Sequence, residues 1–230
     1  MQTTELSVHL KKDDIEQLIM RYHFRTDDIV LLQSLSQAMQ PLLRVKAYYV
    51  WQKQDSSIAY EDYAIVFLTL GEGIDRLQEL YMDQKCLSEA YMIDCIALEY
   101  LTKAYEEFVR YIQKETGKWA VKIDFLGDAY PVTMLPKLIQ KFDDMEIGYN
   151  EKYVLTPSKS VAFLLPMSKA RTKNPCHICD NCSNTECLFR KDSRGRKEEK
   201  GREEGQPVMP NTYGYQRIFG QSARKSRKGQ

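Results

Sequence analysis

This sequence of 230 residues has few histidines, no long apolar run and almost no excess of one charge over the other. It carries 33 Lys and Arg against 32 Asp and Glu, a net charge of +1, so its overall charge does not favour nucleic acid as a partner. No stretch approaches the roughly 18 consecutive apolar residues of a membrane span, and the N-terminus lacks the apolar core of a signal peptide. We therefore predict a cytoplasmic protein with neither a membrane nor a specific nucleic acid as its partner.

The common catalytic signatures are also missing. The sequence contains no G-x-x-x-x-G-K-[ST], no G-x-G-x-x-G after a strand, no H-E-x-x-H and no G-x-S-x-G. Its three histidines, His9, His23 and His177, leave little material for histidine-based acid–base chemistry. The sequence therefore does not indicate an independent enzyme.

Apolar periodicity alternates between helical and extended along the first 165 residues. Helices are predicted at about 12–22, 26–41, 74–82, 88–117 and 134–142, and strands at 45–51, 63–70, 121–126 and 160–165. Strands separated by helices of unequal length are typical of an α+β domain and not of a doubly wound parallel sheet. We predict an α+β fold in which a twisted antiparallel or mixed sheet packs with a long helix and several shorter helices.

The long helix has the clearest pattern. Ser88 is a candidate N-cap, and Gly117 can take the left-handed conformation that ends a helix. Between them, apolar residues step by three or four at Ala90, Ile93, Ala97, Leu101, Ala104, Phe108 and Ile112. This stripe predicts a helix of about eight turns that packs on a sheet.

Four of the six cysteines fall within twelve residues, in the spacing C-x2-C-x2-C-x4-C. They are Cys176, Cys179, Cys182 and Cys187. In a reducing compartment such crowding indicates metal binding before disulfides. Thiolates at every third residue suit a four-iron cluster, whereas structural zinc usually takes two cysteine pairs about a dozen residues apart. These considerations favour an iron–sulfur cluster. Zinc stays open as an alternative because His177 lies in the same loop, and the third alternative is a metal-free, redox-labile segment.

The isolated Cys86 and Cys95 are interpreted as buried small apolar residues.

Charge divides the chain near its end. Residues 191–230 hold eleven Lys and Arg against five acids, a net charge of +6, which leaves the first 190 residues at −5. The stretch KDSRGRKEEKGREEG has no apolar residue with which to bury a face, so it predicts a solvated or disordered tail. A basic arm that holds an acidic partner or nucleic acid is the alternative. We predict a folded domain at 1–170, a cysteine-cluster metal-binding segment at 171–190 and a basic tail at 191–230.

Residues 127–165, GDAYPVTMLPKLIQKFDDMEIGYNEKYVLTPSKSVAFLL, resemble the activation (reactivation) domain of cobalamin-dependent methionine synthase, in its free-standing form with a C-terminal cysteine cluster. The positions that match the family's motifs are Tyr130, Ile147, Gly148, Pro157, Lys159, Ser160 and Val161. The order of elements upstream and the cysteines downstream also fit. The resemblance extends over about 13–190, and the first 170 residues are then an activation-like domain.

The resemblance implies an accessory role. In that family the domain presents S-adenosylmethionine to cobalamin, so that an electron from a flavodoxin-type or other donor is trapped by methyl transfer. It implies reductive reactivation of a cobalamin-dependent methionine synthase or a related corrinoid methyltransferase, with the cobalamin held by that partner protein and a flavodoxin-type or ferredoxin-type electron donor. It also implies that Tyr130, Lys159 and Ser160 bind S-adenosylmethionine, in an acidic, aromatic groove that suits the sulfonium cation.

Other interpretations of these residues remain open. The family's R-x-x-P-G-Y turn is written here as Phe125-Leu126-Gly127-Asp128-Ala129-Tyr130, without the arginine and the Pro-Gly pair. On simpler readings Tyr130 is an ordinary turn tyrosine, and Lys159 is a solvated lysine at a strand start. The acidic residue that the family uses on its long helix has two candidates, Glu99 and Glu106.

Two other functions compete with reactivation. The missing arginine favours an iron–sulfur electron-transfer or redox-sensing protein that keeps this scaffold without the nucleoside site. A non-catalytic interaction module, in which the cysteines hold a structural zinc that orders the basic tail, is the third candidate.

Metal analysis separates these alternatives. Because the cysteine spacing favours a four-iron cluster, anaerobic purification should give a brown protein with near-stoichiometric iron and sulfide. An absorbance spectrum with iron, sulfide and zinc analysis of the same sample measures this. A colourless protein with one zinc per chain would contradict the prediction and make the cysteine cluster structural.

Overall fold

The structure, a computed structural model, describes residues 1–55 and 58–170. Its helices and strands, in chain order, are β1 (Gln2–Glu5), α1 (Lys12–Tyr22), α2 (Ile29–Met39), β2 (Lys46–Asp55), β3 (Ile58–Thr69), α3 (Gly73–Asp83), α4 (Leu87–Thr116), β4 (Trp119–Ala120), β5 (Asp124–Phe125), α5 (Leu135–Ile139), β6 (Gly148–Tyr149), β7 (Leu155–Thr156) and β8 (Ser160–Ser168). Short 3-10 turns lie at Thr26–Asp28, Gln40–Leu42 and Val132–Met134.

One antiparallel sheet organises these elements. Its strand order is β1-β2-β3-β8, and the two-residue strands β4 and β5 both pair with β8. Every strand pair in the sheet is antiparallel. The α+β prediction is confirmed, and the choice between an antiparallel and a mixed sheet is decided in favour of the former. β6 and β7 form a separate small hairpin.

Apolar layers cover both faces of the sheet. Side chains alternate between the faces along each strand, so Val66 and Phe163 join a large layer that includes α1, α2 and α4. Ile65 and Leu164 join a smaller layer that includes α5. Because both faces are buried, the centre of β3 (AIVFL) is an uninterrupted apolar run without the alternation of a half-exposed strand.

The helix α4 confirms the predicted stripe. All seven of its members are buried: Ala90, Ile93, Ala97, Leu101, Ala104, Phe108 and Ile112. The Phe108 ring meets that of Phe163 on β8, with 6.3 Å between ring centroids. Gly117 ends the helix with φ +65°, as predicted. The N-cap prediction was wrong by two residues, because α4 begins at Leu87 after Cys86.

Two ion pairs of opposite polarity join α1 to α4. Arg21 of α1 donates to Glu99 of α4, whose side chain is almost fully buried. Seven residues earlier on α1, Asp14 accepts from Lys103 of α4 at 2.8 Å. These pairs add electrostatic contacts to the apolar packing of Ile15 and Leu18 against the large layer.

Several predicted boundaries differ from those observed. Thr26 opens a 3-10 turn instead of capping α2, which starts at Ile29. Only residues 135–139 of the predicted helix 134–142 are α-helical, and the predicted strand 121–126 is reduced to β5. The strand β1 was not predicted, because its polar sequence QTTE has no apolar alternation.

Within the described ranges, no helix is both long enough and apolar enough to cross a membrane.

The start of α3 depends on a glycine that contacts another part of the backbone. A Cβ added at Gly73 would lie 2.5 Å from the carbonyl oxygen of Leu42 and 3.1 Å from its Cβ. We expect Gly73→Ala to lower the free energy of unfolding by about 2 to 3 kcal/mol, measured by urea denaturation, because the backbone cannot yield as a side chain can. Gly117→Ala is the control, since its Cβ would meet nothing within 4 Å and the variant would bear only the left-handed backbone cost of about 1 kcal/mol. Equal losses in both variants would contradict the steric explanation.

Candidate functional site

The predicted ligand-binding residues Lys159 and Ser160 lie on opposite sides of the sheet. Successive residues of an extended chain point in opposite directions. Lys159 is 93% buried toward α4, where its Nζ donates to Oδ1 of Asp94 at 2.5 Å. Ser160, the first residue of β8, donates from Oγ to the hydroxyl of Thr69 on β3 at 2.9 Å. The structure therefore does not bring these two side chains to one small-ligand site.

The ammonium group of Lys159 is part of a buried polar cluster. Its partner Asp94 also accepts a long hydrogen bond, 3.4 Å, from Nε2 of Gln78 on α3. The cluster joins the start of β8 to α3 and α4. The interpretation of Lys159 as a solvated lysine was wrong, because the structure gives this cation a buried carboxylate.

Tyr130 closes a tight turn after β5. Gly127 takes φ +96°, a left-handed conformation that favours glycine, and its N–H donates to the carbonyl of Tyr130 at 2.6 Å. The Tyr130 side chain is half-buried and packs against the smaller apolar layer. This burial raises the pKa of the Tyr130 hydroxyl, and the nearby carboxylate of Asp124 raises it further. The hydroxyl is therefore a neutral hydrogen-bonding group at physiological pH.

A groove opens beside this turn, where β8 begins. It has a volume of about 220 Å³. Phe125, Leu126 and the 3-10 turn that starts at Val132 lie on one side of it, the segment 153–158 lies on the other, and β8 is its floor. Its lining residues are Phe125, Leu126, Val132, Leu135, Tyr153, Val154, Leu155, Ser158, Ser160, Val161 and Ala162. These side chains carry no formal charge, and most are apolar. We call this groove the β8 groove. Its lining suits an uncharged, largely apolar ligand group, and the groove itself contributes a few hydroxyl oxygens.

An acidic recess lies on the other side of the same segment. It has a volume of about 320 Å³ and is lined by Glu72, Asp75, Arg76, Glu79, Glu146, Thr156 and Pro157. Asp75 accepts from the backbone N–H of Ser158 at 2.7 Å and from its hydroxyl at 2.6 Å. The acidic and aromatic characters that we predicted for one groove are thus divided between two neighbouring recesses.

The acidic residues of α4 lie away from the groove. Glu99 is paired with Arg21 of α1 and Asp94 with Lys159 beside the start of β8, and neither acid lines the groove. Glu99, one of the two candidates from the sequence, therefore has a structural partner. Tyr153 and Val154 were not predicted from the sequence as groove residues. The sequence pattern that could have indicated them is the pair of tyrosines that flanks the turn residues Asn-Glu-Lys.

The predicted metal ligands Cys176, Cys179, Cys182 and Cys187 lie outside the described residues. Across residues 1–55 and 58–170, no group of three or more His, Cys, Asp or Glu side chains is placed to hold a metal ion. Of the two isolated cysteines, Cys95 is fully buried as predicted, whereas Cys86 is half-buried just before α4.

No family model and no curated protein sequence matches this chain. Among solved structures, it is similar to the crystal structure of the MetH reactivation domain bound to AdoHcy, with a TM-score of 0.49 and 11% sequence identity. The alignment covers 75% of this chain and 79% of that chain. A similarity at this level leaves function to be argued from the residues themselves.

The buried pair of Lys159 and Asp94 predicts a large asymmetry between single and double replacement. Asp94→Ala leaves an uncompensated buried ammonium, so the free energy of unfolding should fall by about 3 to 5 kcal/mol in urea denaturation. The double variant Asp94→Leu with Lys159→Met removes both charges and should lose less than either single variant. A double variant as unstable as Asp94→Ala would show that the loss of stability does not come from an unpaired buried charge.

Proposed function

We propose that this protein is an accessory factor for the reductive reactivation of a corrinoid methyltransferase, such as a cobalamin-dependent methionine synthase, and that it binds S-adenosylmethionine in the β8 groove. The ligand supplies a methyl group that traps the reduced cobalamin of the partner protein. The chain's own part is to bind the nucleoside, hold it beside the partner and exclude water.

One observation carries the proposal. The segment 127–165, whose residues resemble the activation domain, supplies nine of the eleven residues that line the β8 groove. Those residues come from the 3-10 turn at Val132–Met134, from α5, from the segment 153–158 and from the start of β8. The part of the chain that carries the resemblance thus builds a single concave site.

The surroundings of the groove fit the chemistry of this ligand. An uncharged, apolar lining accommodates an adenosine group. The hydroxyl oxygens of Ser158 and Ser160, whose protons are donated to Asp75 and Thr69, can accept hydrogen bonds from it. The adjacent acidic recess contributes negative potential that favours the positive sulfonium over its neutral product. Phe125 stands where the family's turn has its arginine, so the groove does not offer a guanidinium to the ligand's carboxylate.

Binding can be tested by calorimetry with S-adenosylhomocysteine as the probe. Val154, a groove residue that is 49% exposed, is replaced in the variant Val154→Glu, which puts a carboxylate beside the apolar lining. We expect at least a tenfold rise in Kd, because ligand binding would strip water from this carboxylate without pairing it. S-adenosylhomocysteine, a neutral thioether, is used as the probe because the sulfonium of S-adenosylmethionine could pair with the new carboxylate at position 154.

The matched control is Val30→Glu, which makes the same replacement at a 67% exposed position of α2. It should bind like the wild type. Equal weakening by both variants, or binding by neither the wild type nor the control, would overturn the assignment of the groove.

The reactivation step needs its own assay. A corrinoid methyltransferase is oxidised to cob(II)alamin and supplied with a chemical reductant and S-adenosylmethionine, and the return of methylcobalamin is followed by absorbance. The wild-type chain should accelerate this return, and Val154→Glu should not. Binding of the nucleoside without acceleration would reject reactivation while leaving a nucleoside-binding protein.

A further inference from the structure

Two exposed tyrosines stack on one another at the edge of the β8 groove. Tyr149 of β6 and Tyr153 lie with ring centroids 6.2 Å apart and planes inclined by 9°. Their exposed fractions are 37% and 36%, although apolar and aromatic side chains are usually more buried than this. Tyr153 also lines the groove, together with its neighbour Val154.

A side-chain amide orders the turn between these two tyrosines. Tyr153 takes φ +60°, a left-handed conformation that is unfavourable for a tyrosine. Oδ1 of Asn150 accepts from the N–H groups of Lys152 at 2.9 Å and Val154 at 3.1 Å, and the Asn150 carbonyl accepts from the N–H of Tyr153 at 2.9 Å. The turn therefore fixes the backbone that carries Tyr153 before any ligand arrives, which lowers the entropic cost of using this residue in binding.

The chemistry of the groove selects one part of the ligand. Its lining is uncharged, so it offers no ionic partner to an amino-acid carboxylate or ammonium. A flat, neutral heteroaromatic ring is the group that gains most from an immobilised tyrosine, since base stacking on an aromatic side chain tolerates any purine or pyrimidine. The Tyr153 ring, which lies parallel to that of Tyr149, also lines the groove, so a ring bound there can stack beside it.

We infer that Tyr153, backed by Tyr149, is a ligand-binding residue that stacks on the purine of the ligand, and that the site binds an adenosine thioether through its nucleoside and not through its amino-acid end. This inference rests on the function proposed above and goes beyond it. It assigns a role to the segment 149–154, which contains none of the ligand residues predicted from the sequence.

The experiment compares two probes and two variants of the full chain. The probes are S-adenosylhomocysteine and 5′-methylthioadenosine, which lacks the carboxylate and the ammonium. The variants are Tyr153→Leu and Tyr153→Phe, which keep the same backbone cost at position 153. Calorimetry gives Kd, and ligand NMR gives the ring-current shift of the purine H2 and H8 protons, which a purely structural role of Tyr153 would not produce.

We expect both probes to bind the wild type within about threefold of each other, and Tyr153→Leu to weaken both by about tenfold. The upfield purine shifts should persist in Tyr153→Phe and disappear in Tyr153→Leu. Binding of S-adenosylhomocysteine that is more than tenfold tighter than that of methylthioadenosine, or unchanged in Tyr153→Leu, would overturn the inference and leave the proposed function intact. Tyr153-dependent binding of both probes by a chain that does not accelerate the return of methylcobalamin would support the inference and overturn the function, and binding of neither probe would overturn both.

Discussion

The buried contact between Lys159 and Asp94 fixes where β8 starts, and the candidate site depends on that position. The ammonium and the carboxylate are both nearly excluded from water, so each requires the other in place. With Lys159 held against α4, Ser160 must face the opposite way, where it contributes to the floor of the β8 groove. A slip of β8 by one residue would move the cation into the groove and the serine into the apolar layer.

The sequence predicts well those elements that are long and have either one apolar face or an uninterrupted apolar run. The α4 stripe and the β3 run are of this kind, because burial there is decided by many residues at once. The two-residue strands β4 and β5 and the polar strand β1 carry too few apolar positions for a period to show. Their structure comes from pairing with the longer strands β2 and β8, which offer backbone hydrogen-bonding groups along their edges.

The candidate site is less predictable than the fold for a different reason. A lysine at the start of a strand has the same sequence appearance whether it is solvated or buried, and its carboxylate partner lies 65 residues earlier in the chain. The groove is likewise formed by three segments that converge at the start of β8, and no short sequence motif predicts it. What the sequence did indicate, through the resemblance of 127–165, is the region of the chain in which the groove is built.

The two charge pairs between α1 and α4 carry information about direction. Along α1 the charge order is acid at Asp14 and base at Arg21, and along α4 it is acid at Glu99 and base at Lys103. The antiparallel arrangement matches each charge with its opposite, whereas a parallel arrangement would set carboxylate against carboxylate and base against base. Apolar surfaces alone tolerate either arrangement, because dispersion and hydrophobic contacts have no polarity. These four charged side chains thus favour the antiparallel direction of a helix pair that apolar contacts stabilise, because the parallel direction would bring like charges together.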